Sequence, residues 1–423
     1  MLKCEARLAL ARRRPHIVAI TGSVGKTSTK DAIACALAPF FSVRKSEKSY
    51  NSDFGVPLTI LGLKNALNNP FLWFMNLAVG AIRALWPEKE PEWLVLEVGA
   101  GEPGDIKKFA QMLAPDIAVI TRFPDVPVHV EYFRSPEAVI AEKTELARAV
   151  PEDGTLILNA DDMKVRALRE NFPSRKAILF GMGEGADVRG SGYEVVYRGE
   201  GKGRFPAGIR FTANAGGRLF PIGLRGVLGE HLMLPILAAF AVTATLKLDL
   251  FGVGAALANF VPPSGRMRLI EGANDALILD DSYNASPVAV KEALSTLGSL
   301  TTHGRKVAVL GVMAELGAFS VTEHRKIGSL AAKSCSELVV VGESAQEIAA
   351  GAKEAGMSAA QVRCYADSVE AAAALPRIIQ AGDVVLVKGS QSARMERVVK
   401  ALMREPERAK ELLVRQDDEW QDK

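Results

Sequence analysis

The chain has 423 residues, a formal net charge of +3, 48% hydrophobic residues and 24% charged residues. That length supports two or three domains with separate cores, the balance is that of a soluble globular protein, and the small net charge excludes a general affinity for nucleic acid. Four cysteines, Cys4, Cys35, Cys335 and Cys364, stand far apart without a C-x-x-C pair, which argues against structural zinc and for reduced thiols in a cytoplasm.

At the start, Lys3, Glu5 and Arg7 interrupt the apolar residues, so the segment does not read as a secretory signal. Arg12-Arg13-Arg14 reads as a solvated tail or, alternatively, as a group that touches an acidic surface. The apolar run Ile17-Val18-Ala19-Ile20 then breaks into Thr21-Gly22-Ser23-Val24-Gly25-Lys26-Thr27-Ser28. A strand that turns through glycine into a helix leaves backbone N–H groups without partners. With the helix dipole these make an anion site, where Lys26 faces the outer phosphates of a nucleotide and Thr27 faces a phosphate-bound Mg²⁺. The spacing departs from G-x-x-x-x-G-K-[ST], because Gly22 lies three residues before Gly25 and Ile20 stands where the distal glycine is expected.

The helix after the loop is expected from Thr27 to about Ala38, stopped by Pro39. Phe71 to Trp86 is apolar except for Asn76, Gly80 and Arg83, whose offsets of four and three put them on one helix face. At about 24 Å it falls short of a bilayer core of about 30 Å. It reads either as a helix packed on its domain or as one lying in a membrane interface with Trp73 and Trp86 as anchors.

Strand-like runs recur at Leu94–Val98, Ile117–Thr121, Leu156–Asn159 and Ala177–Phe180, with helical periodicity between them, as in Pro136–Ala149. Alternation of this kind predicts a parallel sheet covered on both faces. From Asp187 to Leu224 glycine-punctuated runs predict inserted antiparallel hairpins, and an apolar helix follows over His231–Leu246. Pro262-Pro263-Ser264-Gly265-Arg266 marks the boundary between a domain over 1–262 and a second over 263–423. In the second, strands are expected at Leu277–Asp281, Lys306–Leu310, Leu338–Val341 and Asp383–Val387. The charged Glu405–Lys423 reads as a fraying terminal helix. The predicted fold class is therefore α/β: a doubly wound, P-loop central ATPase domain with an inserted antiparallel hairpin region, then a smaller Rossmann-like domain.

Glu97 ends an apolar strand, at the carboxyl edge where ligands gather in open α/β sheets, and is a natural Mg²⁺ ligand beside Thr27. His129 follows the next strand in a loop, and Lys143 lies in a helix; neither is specific by itself.

In this order the loop, Tyr50-Asn51-Ser52-Asp53-Phe54-Gly55-Val56-Pro57, Leu96-Glu97-Val98-Gly99-Ala100, His129, Glu142-Lys143 and Leu158-Asn159-Ala160-Asp161-Asp162 resemble the Mur ligases. So do Gly265-Arg266, Leu279-Asp280-Asp281-Ser282-Tyr283-Asn284-Ala285, Met313-Ala314-Glu315-Leu316-Gly317 and Val387-Lys388-Gly389-Ser390. Within the family, DDSYNA and MAELG are similar to the branch that adds D-alanyl-D-alanine to a muramyl tripeptide in peptidoglycan synthesis.

The resemblance implies an ATP-dependent carboxylate–amine ligase working through an acyl phosphate. Gly22, Ser23, Val24, Gly25, Lys26, Thr27 and Ser28 would hold the ATP phosphates, and Thr27 with Glu97 one Mg²⁺. His129 would hold a second Mg²⁺ near Lys143, which is carbamylated in the family. Arg266 and Asp281 would reach phosphate and ribose, with Asn284 and Lys388 lining the same cleft. The partners implied are a substrate with a free carboxylate and an amine donor, in a cytoplasmic protein with a peripheral membrane contact through Phe71 to Trp86.

Departures bear on specificity. Relatives carry an N-terminal domain for the uridine nucleotide, whereas about fifteen residues precede the loop strand here. The adenine-side pattern G-x-H-N-x-x-N reads Gly229-Glu230-His231-Leu232-Met233-Leu234-Pro235, keeping His231 and losing both asparagines. Gly101-Glu102 stand for Asn-His, and Gln391 for Arg. The phosphoryl machinery is thus read as retained and the acceptor side as changed. The alternatives are a ligase of the same mechanism on another pair of substrates, as in folylpolyglutamate or cyanophycin-type relatives, or a weakly active nucleotide-binding scaffold.

Overall fold

Apolar runs of four to six residues, too short for buried helices and rich in β-branched side chains, form the strands of two parallel-rich sheets. The computed structural model describes residues 1–47, 50–51, 53–86, 91–199, 205–417 and 420. The chain divides into two compact units. One holds Met1–Gly192, Phe211–Ile222 and Met233–Phe260; the other holds Tyr193–Arg210, Gly223–Leu232 and Val261–Lys423.

The first unit begins with α1 (Leu2–Arg13), β1 (His16–Thr21), α2 (Lys26–Leu37), β2 (Val43–Lys45), α3 (Gly55–Leu61), α4 (Pro70–Leu85), β3 (Trp93–Glu97), α5 (Asp105–Leu113), β4 (Ile117–Ile120), α6 (Pro136–Arg148), β5 (Thr155–Asn159) and β6 (Lys176–Gly181). The hairpin strands β7 (Val188–Arg198), β8 (Phe205–Ala215) and β9 (Arg218–Arg225) follow. Strand order is β2-β3-β1-β4-β5-β6-β7-β8-β9. β1 lies parallel between β3 and β4, and its burial after His16 is continuous, as a strand covered on both faces requires. Ile17, Ala19, Leu94, Leu96, Ala118, Ile120, Leu156 and Leu158 belong to one core, where each fully buried Ile or Leu contributes about 1.5–3 kcal/mol.

In the second unit β10 (Arg268–Glu271), β11 (Leu277–Asp281), β12 (Lys306–Gly311), β13 (Glu337–Val341), β14 (Val362–Tyr365) and β15 (Val384–Lys388) form a sheet in the order β10-β11-β15-β12-β13-β14. All its pairings are parallel except β10 with β11. The α/β class and the hairpin insertion expected from the sequence are therefore present.

Three expectations are corrected. The arginine triplet is solvated, Arg12 and Arg14 being exposed, but it is not a tail: it closes α1, which buries Leu2, Ala6 and Ala9 in the first core, and Arg12 Nη1 donates to Leu85 O at 2.7 Å. Small apolar residues at helical spacing outweighed the charges. Among the described residues after Glu405, only Ala409–Leu412 are α-helical, so that part of the stretch is not a fraying terminal helix. Leu413 is buried, and Arg415 pairs with Glu396 at 2.8 Å while donating to the carbonyls of Ser282 and Tyr283. Residues 418, 419 and 421–423 of that stretch lie outside the described residues.

The third correction concerns α4. Asn69 caps it by accepting from Leu72 N at 3.1 Å, and Pro70 opens it. Trp73 is not an outward anchor: its indole N–H donates to Leu67 O at 2.9 Å, its ring packs near Phe54, and it lies against the core. The polar face points inward, with Asn76 donating to Lys64 O and Arg83 to the carbonyls of Leu61 and Gly62. Among the described residues no helix is long and apolar enough to cross a membrane.

Candidate active site

The loop between β1 and α2 is shaped by two glycines. Gly22 has φ 139°, and a Cβ there would lie 2.0 Å from Thr121 Oγ1; Gly25 has φ 84° at the N-terminus of α2. Both conformations are costly for any side chain. The neighbouring strand end fixes the loop from outside: Ser23 N donates to Arg122 O at 2.9 Å and Thr121 Oγ1 to Val24 O at 2.7 Å. Thr121 O in turn accepts from Asn159 Nδ2, and Asp162 accepts from Phe123 N. The Asn159 to Asp162 stretch thus acts as a brace for the loop.

Lys26 Nζ lies 3.0 Å from Gly22 O, so its side chain folds back over the loop. Thr27 and Ser28 start α2 and are buried, and the Ser23 hydroxyl is buried without a hydrogen-bond partner among the described residues. Thr27 Oγ1 donates to Glu97 Oε2 at 2.8 Å, and the other Glu97 oxygen accepts from Asn51 Nδ2 at 3.0 Å. The sequence placed Glu97 opposite Thr27, and the fold does so. Asn51 belongs to the quoted Tyr50-to-Pro57 stretch, but only the tertiary contact shows what it touches. Ser52 of that stretch lies outside the described residues.

Lys143 is 2% exposed, and among the described residues its ammonium nitrogen has no hydrogen-bond partner. Burial, reinforced by the Lys26 charge and opposed by Glu142, pulls its pKa down to about 7. Such an amine is largely neutral slightly above pH 7 and nucleophilic. Glu142, which the sequence reading left without a role, reaches from α6 to the start of α5. Its oxygens accept from Gly104 N at 2.9 Å, Ile106 N at 2.7 Å and Lys107 N at 3.2 Å. That carboxylate satisfies helix-end donors and fixes the position of the residue beside it. His129 stands apart in sequence, in the left-handed region at φ 68° before the turn Val130–Tyr132, and is half-buried.

Among the described residues no group of three His, Cys, Asp or Glu could hold a metal ion. Mg²⁺ does not require one. It keeps several waters and takes one or two protein ligands plus substrate phosphates, and the Thr27–Glu97 pair supplies a hydroxyl and a carboxylate at the loop.

The remaining residues gather within the second unit. Asp281 Oδ2 accepts from Lys388 Nζ at 2.6 Å, and Lys388 also donates to Asn284 O at 2.9 Å. The Arg266 guanidinium lies 4.4 Å from the centre of the Tyr283 ring. Ala314 N donates to Ser390 Oγ and Met313 N to His324 Nε2. The DDSYNA, MAELG and VKGS segments therefore meet where β11, β12 and β15 end, the carboxyl edge at which α/β sheets bind ligands. His231 sits in the turn Glu230–Leu232 with its Nδ1 4.0 Å from Glu292. At the two lost asparagine positions, Leu232 and Pro235 are buried; an apolar core contact has replaced each amide.

Residues 20–243 match the Mur ligase middle domain and residues 265–391 the Mur ligase glutamate ligase domain. The chain belongs to the Mur ligase family. It is 32% identical to the UDP-N-acetylmuramoyl-tripeptide–D-alanyl-D-alanine ligase of Mycobacterium tuberculosis (strain CDC 1551 / Oshkosh), over 92% of this chain and 72% of that one. To the protein of the same name from Bacillus subtilis (strain 168) it is 28% identical, over 95% and 79%. The MurF ligase of Thermotoga maritima solved in complex with ADP superposes with a TM-score of 0.75 at 27% identity, covering 96% of this chain and 84% of that one. For a MurF from Acinetobacter baumannii the values are 0.77, 25%, 94% and 79%. As a Mur ligase, the chain is an ATP-dependent ligase.

Proposed function

We propose that this Mur ligase joins D-alanyl-D-alanine to the free carboxylate of a UDP-muramyl tripeptide during peptidoglycan precursor synthesis in the cytoplasm. The observation that carries the reading is its likeness, across 92% of the chain, to curated ligases of that name.

The nucleotide half follows from the chemistry of the loop. Its backbone N–H groups and Lys26 are the groups proposed to hold the ATP phosphates; in the second unit, His231, Arg266, Asp281 and Asn284 are proposed as further nucleotide-binding residues. The substrate carboxylate attacks the γ-phosphorus and ADP leaves; Lys26 offsets the charge that develops on the phosphoryl oxygens. The amine then attacks the acyl phosphate, phosphate departs with its bonding pair, and the amine loses a proton as the amide forms.

Thr27, Glu97 and His129 are the residues proposed to hold Mg²⁺, which when bound supplies further charge stabilisation at the phosphates. The buried Lys143 amine, without a hydrogen-bond partner among the described residues, supports carbamylation: a neutral amine adds CO₂, releases a proton and becomes an anion. The domains are assigned as a central ATP-binding domain over 1–262 and a C-terminal domain over 263–423.

Phosphate release from ATP tests this reading. It is expected only when the muramyl tripeptide and D-alanyl-D-alanine are both present. Release with a different acid and amino acid, and none with this pair, would replace it with the folylpolyglutamate- or cyanophycin-type alternative.

A further inference from the structure

Helix α4 is packed inside out. Asn76, Gly80 and Arg83 face the protein, where Gly80 lies so close to the buried Glu5 that a Cβ would meet Glu5 Oε2 at 2.4 Å. The opposite face presents Phe71 (68% exposed), Phe74 (67%), Ile82 (59%) and Trp86 (72%), together with Met75 and Leu85. Large apolar side chains at this spacing form one continuous stripe, larger than a monomeric surface ordinarily leaves in water. The polar contacts fix the helix on its bed, so the stripe cannot rotate inward.

Among the described residues the exposed charges on the segments that α4 contacts at its two ends, Lys64 and Arg12, are basic, and the nearby Asp53 is paired with Lys3 at 2.7 Å. Residues 62–86 contain no Asp or Glu. Lys64 is exposed, and its backbone is held by Asn76. At the other end Arg12 is fixed to Leu85 O beside Trp86, and Arg14 is exposed. In α1 the one acid, Glu5, is buried; Glu88 and Glu90 lie outside the described residues. We propose that the outward face of α4, with Arg12, Arg14 and Lys64 at its margins, docks the protein on an anionic lipid surface. The helix lies flat, its apolar side chains at the acyl boundary and the basic groups at the headgroups. A second copy is a poorer occupant, because a two-fold pairing of this face with itself would set cations against cations.

The test is sedimentation of the full chain with vesicles. It is expected to pellet with phosphatidylglycerol vesicles, to pellet much less with phosphatidylcholine alone, and to be released by salt. Combined Phe74→Ser and Ile82→Ser should lower the partition coefficient at least tenfold, and Arg12→Gln with Arg14→Gln roughly fivefold per charge. Each variant should keep the wild-type thermal shift with ADP, which shows that it is folded. A wild-type chain left in the supernatant with both lipids would overturn the proposal, as would folded serine variants that bind like wild type. A concentration-dependent dimer in lipid-free solution, abolished by the serine pair and unaccompanied by vesicle binding, would instead assign the face to a second copy.

Discussion

Burial and the charge of Lys26 together set the protonation of Lys143. Lys26 is folded over the loop at Gly22 O; in its proposed role opposite the developing phosphoryl charge, Lys26→Ala should lower phosphate release by about 10²–10³-fold, measured at saturating substrates. The Lys143 ammonium is disfavoured by burial and by Lys26. Its folded pKa of about 7 lies below the ordinary lysine value, so the unfolded chain binds the extra proton between about pH 7 and 10.5. Stability should therefore rise with pH through that window, and the penalty is fully present below pH 7. Melting temperature against pH in CO₂-free buffer should show the rise in wild type and a flatter profile in Lys143→Met. A Lys143→Ala enzyme should lose activity that short-chain carboxylates partly restore, since they would return the anion that the proposed carbamylation supplies; no rescue would remove carbamylation from the proposed function. Glu142→Gln keeps one acceptor oxygen where the carboxylate used two, and should cost about 1 kcal/mol of stability.

At the scale of elements, the loop before α2 and the tail after Glu405 differ in how they are held. The loop depends on backbone shape. Gly22→Ala would drive a methyl into Thr121 Oγ1, and since φ 139° is hostile to any Cβ, the loop must shift; nucleotide affinity, read by calorimetry, should fall before the fold does. The tail depends on a buried charge pair: Arg415 and Glu396 are 5% and 1% exposed. Arg415→Met leaves Glu396 with Arg394 at 2.6 Å but strips two carbonyls of their donor, and should cost about 3 kcal/mol by chemical denaturation. Much at this scale was readable. Period and punctuation placed β3, α6, the hairpins and β11 to within a residue or two, because their side chains alternate with the geometry that buries them. The tail was not readable, since one arginine among many charges finds Glu396 only after the chain has turned back.

Across the whole molecule, two units each carry their own apolar core, one containing Leu94, Leu96 and Ile120, the other Ile278, Val309 and Val387. Stabilisation by ligand should follow mass action: ADP at a hundred times its Kd should add about 2.7 kcal/mol, seen as a higher melting temperature. Lys26→Ala should abolish most of that shift, and a variant melting like wild type with ADP would place the nucleotide elsewhere. The sequence by itself determined the α/β class, the phosphate loop and family membership, because these rest on local periodicity, glycine placement and short motifs in order. Only the tertiary structure decided that Glu97 is shared between Thr27 and Asn51, that Lys143 is sealed from water beside a second cation, and that α4 turns its apolar side outward. Each of these depends on which surfaces meet once distant segments pack, and side-chain burial is a property of the assembled fold that no stretch of chain carries alone.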